Sequence, residues 1–240
     1  MKKILLSILM ILTCALFMSA DVYIKQKTHT DAVSFMGQNQ PEKNDIAEMW
    51  LGNNKMANVT KEGGFVLDLE KKVVLMINHK DQTYVQMDLP LDLSKYFPPQ
   101  LMQMMGNVTV EVTATGQTEK IGQWNCTIYT MKMNMMMMTM NHKIWASTDV
   151  PFDWKTYMQD MYSQFAMVTM RLDESAVEEM KKIQGFQIKS EMSMDMMGTE
   201  MKSSNEVLEI SKKAAPPGVY AAPEGYTKKD KFGMADFQNR

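Results

Sequence analysis

Residues 64–90 read GFVLDLEKKVVLMINHKDQTYVQMDLP, and their period decides the fold. Phe65, Leu67 and Leu69 alternate with Val66 and Asp68. After Glu70-Lys71, the positions Val73, Leu75 and Ile77 again recur every second residue. After Lys80-Asp81, Thr83 to Met87 closes the series. A period of two places successive side chains on opposite faces of a strand. Three such runs, separated by polar turn residues, predict an antiparallel meander.

The same signal extends in both directions. Val22 to Ser34 alternates apolar with polar, residues 37–44 with Pro41 read as a polar loop, and Ile46 to Leu51 and Lys55 to Thr60 read as strands. Gly52-Asn53-Asn54 joins the latter two, because glycine and asparagine accept positive φ cheaply. Downstream, Pro98-Pro99 opens a short helix, Gln100 to Met105, that Gly106 ends. Asn107 to Thr115 is a β-branched strand, Gly116 marks a turn, and Trp124 to Met133 is the next strand. The chain reverses between Asn134 and Met138 and returns as Lys143 to Ser147.

Two helices follow. Trp154, Met158, Met161, Phe165, Val168 and Leu172 recur at spacings of four and three, one face of an α-helix. Asp173 is placed to cap a second helix carrying Val177, Met180 and Ile183, with Gly185 as its stop. The period then returns to two: Phe186, Ile188, Met192, Met194 and Met196 predict a strand, and Glu206 to Ser211 its partner. Ala214 to Gly218 reads as an extended connector. The expected fold is one α+β domain over residues 21–232. Its curved antiparallel β-sheet, a half-open barrel, is wrapped on a small set of helices, with 233–240 as a frayed tail.

Residues 1–20 have the three-part layout of a secretory signal peptide: Lys2 and Lys3, an uncharged apolar run from Ile4 to Met18, then Ser19-Ala20 before Asp21. No second apolar stretch of membrane-spanning length follows. Cys14 invites a lipoprotein-attachment reading, but the apolar run continues past it. The expected location is the periplasm or the exterior. The formal net charge of −2 supplies no field favouring nucleic acid or anionic membrane. Without Cys14, Cys126 stands alone, so an exported chain must be held by packing rather than by an intramolecular disulfide.

Certain strings resemble a known family. MWLGNNKMANV (49–59), the opening stretch, TGQTEKIGQWNCTIYT (115–130), KIWASTDVPFDW (143–154) and APEGYTKK (222–229) follow in order. Together they resemble exported bacterial proteins grouped as domain of unknown function 4412. The resemblance spans Ile46 to Lys229. It implies kinship with periplasmic lipoprotein carriers and lipoprotein receptors (the LolA/LolB-like fold), which hold acyl chains between a curved sheet and helices. It brings no catalytic residues.

Methionine is the departure. The chain has 29, and three of them fall in the first twenty residues; from residue 21 onward there are ten leucines and nine isoleucines. Methionine has replaced leucine, a volume-conserving swap costing under about 1.5 kcal/mol. Within MKMNMMMMTMNH (131–142), seven of twelve residues are methionine. If the chain turns near Met136, the two arms lie side by side. Three readings are open. The segment is apolar filler, or an adaptable ligand surface, or a Cu(I) or Ag(I) site built from Met136, Met138, Met140 and His142, since thioether and imidazole suit soft cations. Candidate residues for a ligand cavity are Trp154, Met158, Met161, Phe165, Met192, Met194 and Met196.

His29, His79 and His142 show no metal-ligand spacing, and no nucleophile or phosphate-loop motif occurs. The expected function is therefore non-enzymatic binding or carriage of a hydrophobic ligand, such as a lipid, an acyl chain or a lipidated protein. A soft-metal binder and a structural envelope protein are the alternatives.

Overall fold

The alternation in residues 64–90 becomes the first half of one large sheet. The computed structural model describes residues 20–35, 38–99, 108–135, 138–163, 166, 172, 174–196, 199–233 and 236, with backbone alone at 35, 38, 160, 174 and 196. Residues 1–19 of the expected signal segment, the expected helix at Gln100 to Met105, Met136, Phe165, Val168 and Asp173 lie outside the described residues.

Strand β1 (Asp21–Thr30) lies in the middle of the sheet. β2 (Val33–Phe35) and β3 (Gln38–Gln40) form a separate small hairpin, where the sequence suggested one run from Val22 to Ser34 followed by a polar loop. β4 (Lys43–Gly52), β5 (Lys55–Val59), β6 (Gly63–Asp68), β7 (Val73–Asn78) and β8 (Thr83–Asp88) meander away from one side of β1. The chain then crosses to the far edge. There β9 (Thr109–Ile121), β10 (Trp124–Met135), β11 (Met138–Ser147), β12 (Phe186–Met196) and β13 (Thr199–Lys213) meander back to the other side of β1. β14 (Thr227–Lys229) returns to pair with β8 in parallel. The order is β14-β8-β7-β6-β5-β4-β1-β13-β12-β11-β10-β9, and no pairing among the described residues joins β9 to β14. The sheet is curved and not closed.

The turns of the opening stretch share one device. The four-residue connections after Asp68 and Asn78 end in Lys72 and Gln82 at positive φ. The side chains of Asp68 and Asn78 accept from the backbone N–H of Lys71 (2.8 Å) and Asp81 (3.0 Å). An aspartate or asparagine that bonds its own turn in this way pre-sets the reversal.

Curvature comes from register shifts. The ladders are irregular between Thr127 and Tyr129, between Trp145 and Ala146, and between Lys25 and Gln26. Bulges bend strands and raise their twist, so interruptions in three ladders of the second half curl it. The first of them corrects the sequence reading at Gly116. Gly116 takes φ +73° inside β9, in a run of three residues opposite Ile128, while the reversal falls at Gly122, φ +56°. Positive φ serves a bulge as well as a turn.

In the first half both faces are covered. Phe65, Leu67, Val74, Val85 and Met87 join the main core. Val66, Leu75 and Ile77 face the other way, with Tyr23 and Trp50, under Ala215, Val219, Tyr220 and Tyr226. The connector after β13 is thus a cover for that face, tied down where the Tyr220 hydroxyl donates to Asp21 at 2.8 Å.

The described chain is mainly β, which corrects the expected α+β balance. Helix α1 opens at Trp154–Thr156 and continues as a π-helical segment, Tyr157–Tyr162; α2 is Glu174–Met180. Ala176, Val177 and Met180 pack with Val110, Val112, Met131 and Met133 of β9 and β10. Glu179 of α2 accepts from the Val112 N–H at 3.0 Å, satisfying a donor on β9, which among the described residues is an edge strand.

Candidate functional site

The ladder registers of β10, β11 and β12 fix which methionines share a face. Residues directly opposite in neighbouring strands point the same way, and alternate positions repeat the face. Met131, His142 and Met192 are opposite one another; so are Met133, Met140 and Met194; so are Met135, Met138 and Met196. Three rows across three strands therefore hold methionine at every position but one, and that one is His142.

This array forms one wall of a cavity of about 560 Å³. Met131, Met133, Met135, Met138, Met140 and Met192 line it. Tyr157, Met158 and Tyr162 of α1 face them, with Met180 at the end of α2, Ile183 and Phe186 beyond it, and Met49 reaching in from β4. The polar side chains in the lining, besides the two tyrosines, are Gln26, His142 and Gln187.

The wall opposite the sheet depends on the π-helical turn. Asp153 starts α1 by accepting from Lys155 N (3.1 Å) and Thr156 N (3.2 Å). The Ser163 N–H then bonds Met158 O, five residues back. A five-residue turn puts Tyr157 and Tyr162 on one face, their rings 6.1 Å apart. Tyr157 meets Phe186 edge-on at 5.6 Å, and its hydroxyl lies 3.9 Å from the Met49 sulfur. Burial pushes the pKa of both tyrosines up, so their hydroxyls stay neutral.

His142 is the polar exception in this wall. Its Nδ1 is buried, and among the described residues it has no hydrogen-bond partner. Burial holds its pKa below the usual histidine value, so the imidazole is neutral at pH 7.

Of the seven residues expected to line a cavity, Met158 and Met192 do so. Trp154, Met161 and Met194 do not, while Phe165 and the Met196 side chain lie outside the described residues. Met161 is buried in the main core instead. Of the four residues considered for a metal, Met138, Met140 and His142 line the same cavity and Met136 is not described. Sequence reasoning missed Met131 and Met192 as the two neighbours of His142, because both come from other strands. It also missed Tyr157 and Tyr162, whose spacing of five fits no α-helical face.

Cys126 does not line this cavity. It is buried in the main core, with its thiol pushed up to about 11 by burial. A second depression, of about 810 Å³, involves charged residues such as Lys132, Lys143, Glu191 and Lys202. Some of these pair with neighbours, Glu191 with Lys189 and Lys202 with Glu200. Among the described residues, no group of three or more His, Cys, Asp or Glu side chains is placed to hold a metal, and no helix is long and apolar enough to cross a membrane.

No curated protein matches the chain. Among solved structures it is similar to PNGF-II at 11% identity and TM-score 0.40, over 92% of this chain but 32% of that one. It is also similar to a LolA superfamily protein, NE2245, from Nitrosomonas europaea (8% identity, TM-score 0.30, 85% of this chain and 91% of that). A DUF1329 family protein from Desulfovibrio piger is similar at 8% identity and TM-score 0.31, over 88% of this chain and 92% of that. Likeness at these scores carries no functional inference. The family described as Domain of unknown function (DUF4412) matches residues 23–226, nearly the whole of the described sheet, and the chain belongs to it.

Proposed function

We propose that this protein is an exported, non-enzymatic binding or carrier protein for an apolar ligand, an acyl chain or a lipid, held in the cavity between β10–β12 and the helices. The observation that carries the reading is the cavity itself: about 560 Å³, walled by methionine and aromatic side chains with few polar groups. Small-molecule sites commonly fall between about 300 and 1,000 Å³ and share that mostly apolar, sparsely polar lining. Methionine favours such a role because an unbranched, polarisable side chain repacks around varied shapes. Each ligand methylene taken from water would contribute about 0.8 kcal/mol. Gln26, His142 and Gln187 are the polar groups available to orient a carboxyl or ester end.

The test is a saturated fatty acid series titrated into the mature chain labelled with ¹³C at methionine methyls. Affinity should rise about fourfold per added methylene, the equivalent of 0.8 kcal/mol, until the cavity is full. The methyls of Met131, Met133, Met138, Met140 and Met192 should shift, while those of Met56 and Met87, buried in the first half of the sheet, should not. Absence of binding across the series, or equal shifts at Met56 and Met87, would overturn the reading in favour of a filled core and a structural role.

A further inference from the structure

A plain apolar wall does not explain His142. Leucine or methionine would complete the array without leaving a buried nitrogen unpartnered, and buried polar atoms are bonded in the large majority of cases. The position is also central to soft donors. Met131 and Met192 are its direct partners across the two ladders, Met140 follows on the same face two residues away, and all four residues line one cavity. Side chains directly opposite in antiparallel strands have Cβ atoms about 4.5–5.5 Å apart. Methionine has three rotatable bonds with which to bring its sulfur to a shared centre.

From this geometry we infer that His142 Nδ1 and the thioether sulfurs of Met131 and Met192, with Met140 as a fourth donor, form a site for one soft monovalent cation, Cu(I) or Ag(I). The donor chemistry selects the cation. Thioethers bind soft ions and contribute little to Zn²⁺, Mg²⁺ or Ca²⁺, which take thiolate, imidazole or oxygen ligands. The cavity lining carries no carboxylate or thiolate among its described residues; Glu111 and Glu191, in the second depression that Met131, His142 and Met192 also border, stand at alternate positions along their strands, which point to the other face. A single positive charge is also the least costly to place in an apolar cavity. Binding at Nδ1 uses the neutral imidazole with its proton on Nε2. This inference stands apart from acyl-chain binding. The sulfur atoms and the imidazole nitrogen carry it, whereas the apolar volume carries the other.

Ag(I) is the probe, because it is redox-inert under these conditions and shares the preferences of Cu(I). The mature chain is titrated with silver nitrate in chloride-free buffer. Stoichiometry is read by native mass spectrometry, and the ligands by ¹⁵N imidazole and ¹³C methionine-methyl resonances. One Ag(I) per chain is expected, with shifts at His142 Nδ1 and the Met131 and Met192 methyls. Outer-shell partners of metal ligands are already worth 10–100-fold in affinity, so Met131→Leu/Met192→Leu should weaken binding by about 100-fold or more. Met56→Leu/Met87→Leu, at two core methionines that do not line the cavity, should not. Absence of a tight one-to-one complex, or undiminished affinity in the folded Met131/Met192 variant, would overturn the site. If that variant does not fold, the wild-type spectrum decides: Ag(I) bound with an unmoved His142 Nδ1 resonance overturns it equally. The fatty acid titration is separate, so failure of either reading is recognised without the other.

Discussion

Replacing His142 by leucine should make the metal-free protein more stable. The imidazole sits among methionines with Nδ1 buried and unpartnered among the described residues. A buried polar atom left without a hydrogen bond costs about 1–3 kcal/mol. An apolar side chain of similar size removes that cost, so a gain of about 1–2 kcal/mol is expected at pH 7.5, less whatever packing mismatch leucine brings. For a chain of this size that corresponds to a rise of about 3–6 °C in Tm. The gain has a pH signature. Burial lowers the folded-state pKa of His142 from the ordinary 6.5, so as pH falls below 6.5 the unfolded chain takes up a proton before the folded one does. The histidine's contribution is therefore intact above pH 6.5 and is lost as pH falls toward the lowered folded value. Leucine has no such loss, so the variant's advantage should widen between pH 7.5 and pH 5. Carboxylates and His29 titrate in both proteins and cancel in the difference. Urea denaturation at the two pH values measures it. A variant less stable than wild type at pH 7.5, or an advantage that stays constant down to pH 5, would refute the description of His142 as buried and unsatisfied.

Gly185 closes the cavity next to Phe186 with φ +118°, and a Cβ there would lie 2.6 Å from the carbonyl carbon and oxygen of Ser147. Gly185→Ala should therefore cost more than about 3 kcal/mol, combining backbone strain with a clash that no rotamer relieves. A urea midpoint within experimental error of wild type would show that β12 does not approach β11 this closely. Cys126, buried and with its thiol pushed up to about 11, should resist a disulfide reagent at pH 8 in the native state and react fully in denaturant. Reaction at the rate of a free thiol without denaturant would contradict its burial.

The first half of the sheet was readable because each decision was local. Asp68 and Asn78 each bond within their own turn, and the strands between them are joined by connections too short to permit another order. The cavity wall was readable only in part. On one arm the methionines stand at odd positions, Met131, Met133 and Met135; on the other at even ones, Met138 and Met140, with His142. Whether the two sets share a face depends on where the reversal falls, and moving it by one residue sends one arm to the other side of the sheet. The third row comes from β12, whose register against β11 is set by an irregularity at Trp145/Ala146, a long-range fit that leaves no periodic trace. Tyr157 and Tyr162 were hidden for a related reason: a template of period 3.6 passes over a spacing of five.

With the register known, the methionines can be weighed by position as well as by number. If methionine had simply drifted into leucine's place, it would be spread over the whole core. In the first half of the sheet, Leu51, Phe65, Leu67, Val74 and Val85 fill the interior, joined by Met56 and Met87. In β10–β12, methionine holds every position of the three rows except His142, and the cavity lies against those rows. Both halves belong to one chain and share its composition and history. A general bias does not load three adjoining rows almost completely while leaving methionine a minority in the interior of the first half. The two roles proposed for this wall differ in what they require of it. Burying an acyl chain needs an adaptable apolar wall and would tolerate leucine, with some loss of fit. Holding a soft cation needs sulfur at Met131 and Met192 and nitrogen at His142, and tolerates no leucine at those positions.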